Sequence, residues 1–571
     1  MNGKTYIFTD NEEISNKLLV YMAKCGGDYE DNYDILDFTD VTEGNKYTYK
    51  GKTVYIIHSD TVAGVNLINI IKTVVYKYII VPPETINELI SIENIQKKGC
   101  NKVEFEKVLN NGNCFLAPWI KYNEKNKEVV KHAILKDYVI NEYHLKADDS
   151  TGERKLYRYD NGVYKEISKE PLRQLILEYL PNSAQSDYNI EQTYKLTRTA
   201  AEAFDIFKCD TDENIINVEN GLLDVMSKEL KPHTPEYLST FQLKVKYNAA
   251  PDNGKLWDNY LNSLCTTKDG TIDHEEINVL QELFGAALSN ISGSSLKKFF
   301  LLYSAVGDTG KTRYLKVLCS FVPSDKVTSI FIQNLAEKHT TSGLVGKRLN
   351  IVDDQSTASI KDSSILKSLT GDGVIPVNYK GGAVTNFEYK GYIIAACNGL
   401  PIPEDDKGNH MFSRYFILPF ENSIPIEKRI TDIAEQIIEK EKEYVFLWAL
   451  EGLRRFIKNG RRFTECKRSK EVTEDLRLKA DSVHRFIAEK CTITGNTKDR
   501  IKCTEVYNQY EKYMQAQGEK NKVDIKNFPQ RMAKLGILKK RRGDTNYYVG
   551  LIDGKIEKIE HSSNIISMFN T

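Results

Sequence analysis

Residues 299–313 read FFLLYSAVGDTGKTR. The run Phe299–Ser304 is apolar without alternation up to its final serine, which predicts a strand buried on both faces. A loop with two glycines follows, and the next run, RYLKVLCSF, has helical apolar spacing. Strand, glycine-bearing loop and helix in that order are the context of a phosphate loop. Gly307 and Gly310 let backbone amides turn inward around a phosphate. Lys311 can reach its β and γ oxygens, and Thr312 carries a hydroxyl for Mg²⁺. The helix N-terminus adds its dipole to the attraction. Val306, Gly307, Asp308, Thr309, Gly310, Lys311, Thr312 and Arg313 are therefore the expected nucleotide-binding set. One position departs from the usual pattern, since Ala305 stands where a first glycine is common.

Downstream, three more apolar runs end in polar residues: KRLNIVDD, KGYIIAACN and SRYFILPF. With KKFFLLYS they predict a parallel sheet covered by helices on both faces. Asp353 and Asp354 follow the strand Asn350–Val352. One carboxylate at such a tip can hold Mg²⁺ and the second can polarise an attacking water, although an ordinary polar strand end reads the same way. Asn398, after the strand Gly391–Cys397, is placed to orient that water. Arg414 precedes the last run, either as a surface charge or as a finger that stabilises transition-state charge.

The rest of the chain bounds these readings. Its 571 residues exceed one core, so several domains are expected. Lysine plus arginine equals aspartate plus glutamate at 79 each, so any nucleic acid must be met by local basic surfaces. The start, MNGKTYIFTDNEE, has no apolar core of a leader peptide. The most apolar stretch, 66–83, is short and interrupted by Lys72 and Lys77, so no membrane span is expected. The ten cysteines are scattered without a Cys-x-x-Cys pair, which suits free thiols in a reducing cytoplasm. Cys265–Glu276 mimics a calcium loop, but Cys265 and Thr267 occupy positions that need carboxylates, so no calcium site is expected. The basic stretch RRFIKNGRRFTECKRSK (454–470) reads as a linker or hinge. Beyond it, 526–542 holds seven basic residues and no acid, with Lys539, Lys540, Arg541 and Arg542 just before a Gly543-Asp544 turn. Two helices, a turn and a strand pair there suggest a winged helix whose wing is positive, a footprint of duplex DNA binding.

The ordered series AVGDTGKT, RLNIVDDQ, KSLTGDGVIPVNYKGG, YIIAACNGLP and FSRYFILPF resembles the superfamily III helicases. It is most similar to the phage, plasmid and poxvirus primase-helicase branch. NVENGLLDVMSKELKPHTPEYLST (217–240), GKLWDNYLNSL and NVLQELFGAAL resemble that branch's pre-helicase region, so the likeness spans roughly 150–555. Within the branch the chain looks most like replication initiators of staphylococcal pathogenicity islands and related cassette elements. The resemblance implies a multidomain α/β protein. Its parts would be a degenerate Toprim/primase-like domain (1–135), a pre-helicase and helical collar region (136–290), an AAA+ P-loop ATPase core (291–465) and a winged helix (480–571). It implies ATP and Mg²⁺ as cofactors, with Lys311 and Thr312 on both, Asp353 on the metal, Asp354 as base and Asn398 as sensor. Arg414 would reach into a neighbouring subunit of a homo-hexamer. Ser413 stands where many relatives have a second arginine, which puts that auxiliary contact in doubt. The segment IPVNYKGGAVTNFEYKGY would be a hairpin in the ring's channel, with Lys380 gripping a DNA phosphate.

KGKTVYIIHSDTVAGVNLINIIK (50–72) is similar to part of a Toprim fold. Ala63 and Gly64 fit, but His58, Ser59 and Thr61 replace acids and leave Asp60 nearly alone. Two-metal phosphoryl chemistry needs several carboxylates, so an active primase is not expected. The implied activity is ATP-driven 3′–5′ translocation on one DNA strand, with single-stranded, forked and origin duplex DNA as partners and a bacterial cytoplasmic location. The alternative is an ATP-switched origin-binding regulator that does not unwind.

Overall fold

In a computed structural model of the chain, the described residues are 5–9, 12–25, 33–42, 49–50, 52–57, 67–68, 70–71, 75, 77–81, 86, 108–109, 113–125, 127–150, 153–252, 254–337, 339–371, 373–378, 384–404, 411–518 and 522–554. The chain divides into two compact units, one of Met1–Asp210 with His233–Thr240, the other of Thr211–Pro232 with Phe241–Thr571.

The first unit opens with a five-stranded sheet: β1 (Thr5–Thr9), β2 (Tyr33–Asp37), β3 (Thr53–Ile57), β4 (Lys77–Val81) and β5 (Asn113–Leu116). The order is β2-β1-β3-β4-β5, with β5 antiparallel to β4 and the other pairs parallel. Helix α1 (Glu12–Cys25) lies between β1 and β2 in sequence. The Toprim-like turn with His58, Ser59, Asp60, Thr61, Ala63 and Gly64 lies outside the described residues. A hairpin of β6 (Ile120–Tyr122) and β7 (Glu128–Val130) follows, then α2 (His132–Glu142). Strands β8 (Lys146–Asp148), β9 (Lys155–Asp160) and β10 (Val163–Ile167) are followed by α3 (Lys169–Leu177), α4 (Asp187–Ala200) and β11 (Glu202–Phe204). Trp119 is fully buried in this part, and its indole nitrogen donates to the Tyr179 carbonyl at 3.2 Å, so the large ring carries no unpaired donor.

The second unit starts with a meander of β12 (Ile215–Val218), β13 (Gly221–Asp224) and β14 (Leu230–Lys231), then α5 (Lys255–Leu264) and α6 (His274–Leu288). Next come β15 (Phe299–Tyr303), α7 (Lys311–Ser320), β16 (Val327–Thr328), β17 (Leu349–Val352) and α8 (Ser364–Leu369). The hairpin β18 (Val374–Asn378) and β19 (Val384–Glu388) precedes β20 (Tyr392–Cys397), β21 (Tyr415–Pro419), α9 (Ile433–Lys440), α10 (Lys442–Lys458) and α11 (Lys467–Ala480). The main sheet is wholly parallel in the order β16-β17-β20-β15-β21. Its central strands β15 and β20 and the neighbouring β21 are built almost wholly of apolar and aromatic residues because both faces are covered. Phe300 and Leu302 of β15 enter one apolar cluster with residues of α5, α6, α7 and α10, while Phe299 and Leu301 enter a second on the other side. Each such side chain stabilises the fold by about 1.5–3 kcal/mol.

Helices α6 and α10 cross at glycines. A Cβ on Gly285 would stand 2.2 Å from the Ala449 carbonyl oxygen, and one on Gly452 would stand 2.4 Å from that of Gln281. No larger residue fits at either place without parting the helices.

The stretch 454–470 differs from the linker expected of it. Residues 454–458 complete α10, and α11 begins at Lys467, so the irregular part is 459–466. It is anchored on buried carboxylates. Glu282 accepts from Arg455 Nε (2.7 Å) and from Thr464 N (2.7 Å) and Oγ1 (2.6 Å). Arg468 meets Asp273, Glu276 and Glu421 at 3.2–3.3 Å. Glu276, the last residue of the calcium-loop mimic, is thus turned inward, and burial pushes its carboxyl well above the ordinary range against the pull of Arg468.

The C-terminal part is α12 (Ser482–Lys490), β22 (Cys491–Ile493), β23 (Arg500–Lys502), α13 (Cys503–Ala516), α14 (Phe528–Lys534), β24 (Leu538–Arg542), β25 (Thr545–Val549) and β26 (Leu551–Asp553). Its own core includes Phe486, Tyr510, Phe528, Met532 and Tyr548. Among the described residues no helix is long and apolar enough to cross a membrane.

Candidate nucleotide-binding cleft

Parallel register fixes the site. Tyr303 pairs with Cys397 and Val352 with Ala395, so the ends of β15, β17 and β20 lie at one edge of the sheet. The loop after β15, the acids after β17 and the amide after β20 therefore meet there. A cleft of about 750 Å³ is lined by Gly307–Arg313, Asp353, Asp354 and Asn398. Of the residues expected from the motif, Val306 alone does not line it. Its N–H donates to Ser304 Oγ at 3.2 Å, and that hydroxyl donates to its carbonyl at 2.7 Å, which shapes the loop's entry.

Gly310 has φ +103°, a conformation that strains any residue with a Cβ. Its carbonyl accepts from the Tyr260 hydroxyl at 2.9 Å. Lys311 is buried, and its ammonium donates to Thr309 Oγ1 and Asn398 Oδ1, each at 3.3 Å. Burial pushes its pKa below the usual lysine value, opposed by the negative charge of Asp354. Cys397 lies beside it at the cleft floor, and burial pushes that thiol up to about 12. Asp353 and Asp354 are solvent-exposed at the β17 tip, while the next residue, Gln355, is buried and accepts from Ile332 N at 3.0 Å.

Oxygen donors suit Mg²⁺. Among the described residues no group of three or more His, Cys, Asp or Glu is gathered for a metal. Mg²⁺ does not need one, because it binds through one or two carboxylates and completes its shell with phosphate oxygens and water. Thr312 and Asp353, the two residues expected to hold it, both line the cleft and are oxygen donors of that kind.

The opposite wall was not read from the sequence. Helix α5 contributes Leu256, Asn259, Tyr260 and Ser263, spaced along one helical face, and the segment after β21 contributes Ile424 and Arg429. The N-terminus of α5 is held by buried Glu441, whose carboxylate accepts from Leu256 N (2.9 Å) and Trp257 N (2.8 Å).

One expected residue stands apart from the cleft. Arg414 does not line the cleft. It precedes β21, at the edge of the sheet away from the phosphate loop, and its guanidinium donates to the Thr370 carbonyl and to Thr370 Oγ1 (3.0 Å). Lys380, expected in the channel hairpin, lies outside the described residues, as do the other residues of 379–383 between β18 and β19.

In the C-terminal part, Lys539, Lys540, Arg541 and Arg542 lie on β24, exposed along its whole length. The three-stranded order β23-β25-β24 leaves β24 at the edge. Arg542 pairs with Thr545 across the two-residue turn, in which Gly543 has φ +59°. Arg541 Nε donates to the Gly543 carbonyl at 3.1 Å. Arg531 of α14 is bound to Asp481 at 2.8 Å, so that member of the basic run serves the fold.

The cleft lies where a strand, a glycine-bearing loop and a helix meet at one end of the parallel sheet. Residues 119–266 match the model of the "D5 N terminal like" family, and residues 302–414 match that of a family of unknown function, DUF5906. The first match supports the resemblance of this chain to phage-type primase-helicase proteins of DNA replication. No curated protein matches the chain. Similar solved structures include two apo structures of the NrS-1 C-terminal region. One is 11% identical with a TM-score of 0.44, the other 10% identical with a TM-score of 0.42. Each covers 73% of this chain and 99% of the other.

Proposed function

We propose that the chain is an ATP-hydrolysing DNA helicase motor with an AAA+ core of the superfamily III kind, working as a hexamer in replication initiation. The observation that carries this reading is the convergence of Lys311, Thr312, Asp353, Asp354 and Asn398 on one cleft at the ends of parallel strands. Lys311 neutralises the β and γ phosphates. Thr312 and Asp353 would hold Mg²⁺, which when bound offsets phosphate charge. Asp354 polarises the attacking water and Asn398 orients it. Arg414, at the far edge of its own sheet, would serve a neighbour's nucleotide. The hairpin β18–β19 and Lys380, which lies between its strands in sequence, would grip one DNA strand and move with the nucleotide state in the 3′–5′ direction. The exposed basic strand β24 would hold origin duplex DNA. Likeness to initiators of staphylococcal islands supports a role at an element's own origin.

Two measurements test this. ATP hydrolysis by Asp354→Asn should fall about 10²–10³-fold with ATP binding kept, since such electrostatic groups contribute that much. Strand displacement on a 3′-tailed fork should require ATP and Lys311. Hydrolysis without displacement would favour a switched origin-binding regulator.

A further inference from the structure

Among the described residues three cations line the cleft: Lys311, Arg313 and Arg429. The first two belong to the phosphate-loop motif. Arg429 comes from the irregular segment after β21, and it is tied to the loop by a closed cycle of contacts. Its Nη2 lies 3.0 Å from Asp308 Oδ2. Its Nε donates to the Ile424 carbonyl at 2.7 Å. Ile424 N in turn donates to the Asp308 carbonyl at 3.1 Å. Asp308 itself has φ +59°, a left-handed conformation that aspartate and asparagine tolerate better than most residues.

An acid in this loop opposes the loop's purpose. The inward amides and the helix N-terminus attract a polyphosphate, and a carboxylate beside them repels it. The Asp308 and Arg429 side chains are 64% and 38% exposed, and an ion pair so open to water contributes little to folding. Its effect appears when a third, negative partner arrives. We propose that Arg429 is a positioning residue for the nucleotide. By neutralising Asp308 and pinning 424–429 to the phosphate loop, it lets the loop accept a triphosphate. This inference rests on the reading of the cleft as a nucleotide site, and the experiment keeps the two apart.

Binding of Mg²⁺-ATP to the full chain is measured by calorimetry for wild type, Arg429→Ala, Asp308→Asn and the double variant, with thermal melts as a folding control. Arg429→Ala should weaken ATP binding about tenfold at low salt, and the gap should narrow as salt screens the carboxylate. AMP, with fewer charges, should be affected less. Asp308→Asn should bind ATP at least as tightly as wild type. The double variant should return to within about twofold of wild type, because the repelling charge is gone. Arg429→Lys should retain part of the affinity, keeping the charge but not the planar contact to Ile424. Unchanged binding by Arg429→Ala overturns the inference. So does a double variant no better than Arg429→Ala, which would mean that Arg429 touches the phosphates itself or only props its segment. A wild type that binds no ATP removes the nucleotide reading and this inference together.

Discussion

Lys311 Nζ stands 3.3 Å from Asn398 Oδ1, so one buried ammonium joins the phosphate loop to the tip of β20. Burial holds its pKa below the ordinary lysine value. The unfolded chain therefore keeps that proton at pH values where the folded one has released it. The stability this group withholds is returned as pH rises through the lowered folded value toward the ordinary one. Lys311→Met removes the charge but keeps the apolar stem. The apo variant should melt at or above the wild-type temperature at pH 7, with the difference shrinking toward pH 10, while ATP hydrolysis disappears. A melting point several degrees lower would make Lys311 a support of the fold.

Glu441 acts at a distance from the chemistry. Its carboxylate receives two N–H groups at the start of α5, the helix that carries Tyr260 to the phosphate loop. Glu441→Ala should cost about 0.5–2 kcal/mol in urea unfolding, the range for removal of a helix cap. It should also weaken ATP binding, since α5 loses its fixed start. Loss of stability with unchanged ATP affinity would separate α5 from the ligand.

Arg414 sits on Thr370 at the edge of the sheet opposite its own phosphate loop. Arg414→Ala subunits should bind ATP normally yet hydrolyse it poorly. Mixed with Lys311→Ala subunits, they should regain part of the activity that neither has alone, because each supplies what the other lacks. Assemblies proven to be mixed that stay inactive would remove Arg414 from a neighbour's site.

The exposed strand β24 carries four consecutive cations. Neutralising Lys539, Lys540, Arg541 and Arg542 together should weaken duplex binding at every sequence. The salt dependence should flatten by about 0.9 log units for each DNA phosphate that the variant no longer neutralises. Because none of the four is buried, the melting temperature should hold. A variant with wild-type affinity across a salt titration would place the DNA surface elsewhere.

The half of the cleft written in consecutive residues was legible in the sequence. A phosphate loop is a local device, and the acids and amide at strand ends follow from apolar runs that stop abruptly. The other half was not. Leu256, Asn259, Tyr260 and Ser263 have the mixed polarity of any amphipathic helix, and only packing decides that this face meets Gly310. Arg429 lies in an irregular stretch, and its partner Asp308 is far away in sequence. The basic run 454–470 misled for a related reason. Arginines read as solvated charge, yet Arg455 and Arg468 compensate buried Glu282 and Glu276, information that resides in α6. Pairing of distant charges leaves no periodic trace in either segment.

The thiol at the cleft floor has a chemical consequence. Burial pushes the Cys397 thiol up to about 12, so at neutral pH the sulfur is held in its protonated form. Peroxide, glutathione disulfide and alkylating reagents all react through the thiolate, so a sulfur lining the same cleft as Lys311 is kept chemically silent. The same burial that lowers the lysine's proton affinity raises that of its neighbouring thiol, so the two groups at the cleft are shifted in opposite directions by one cause.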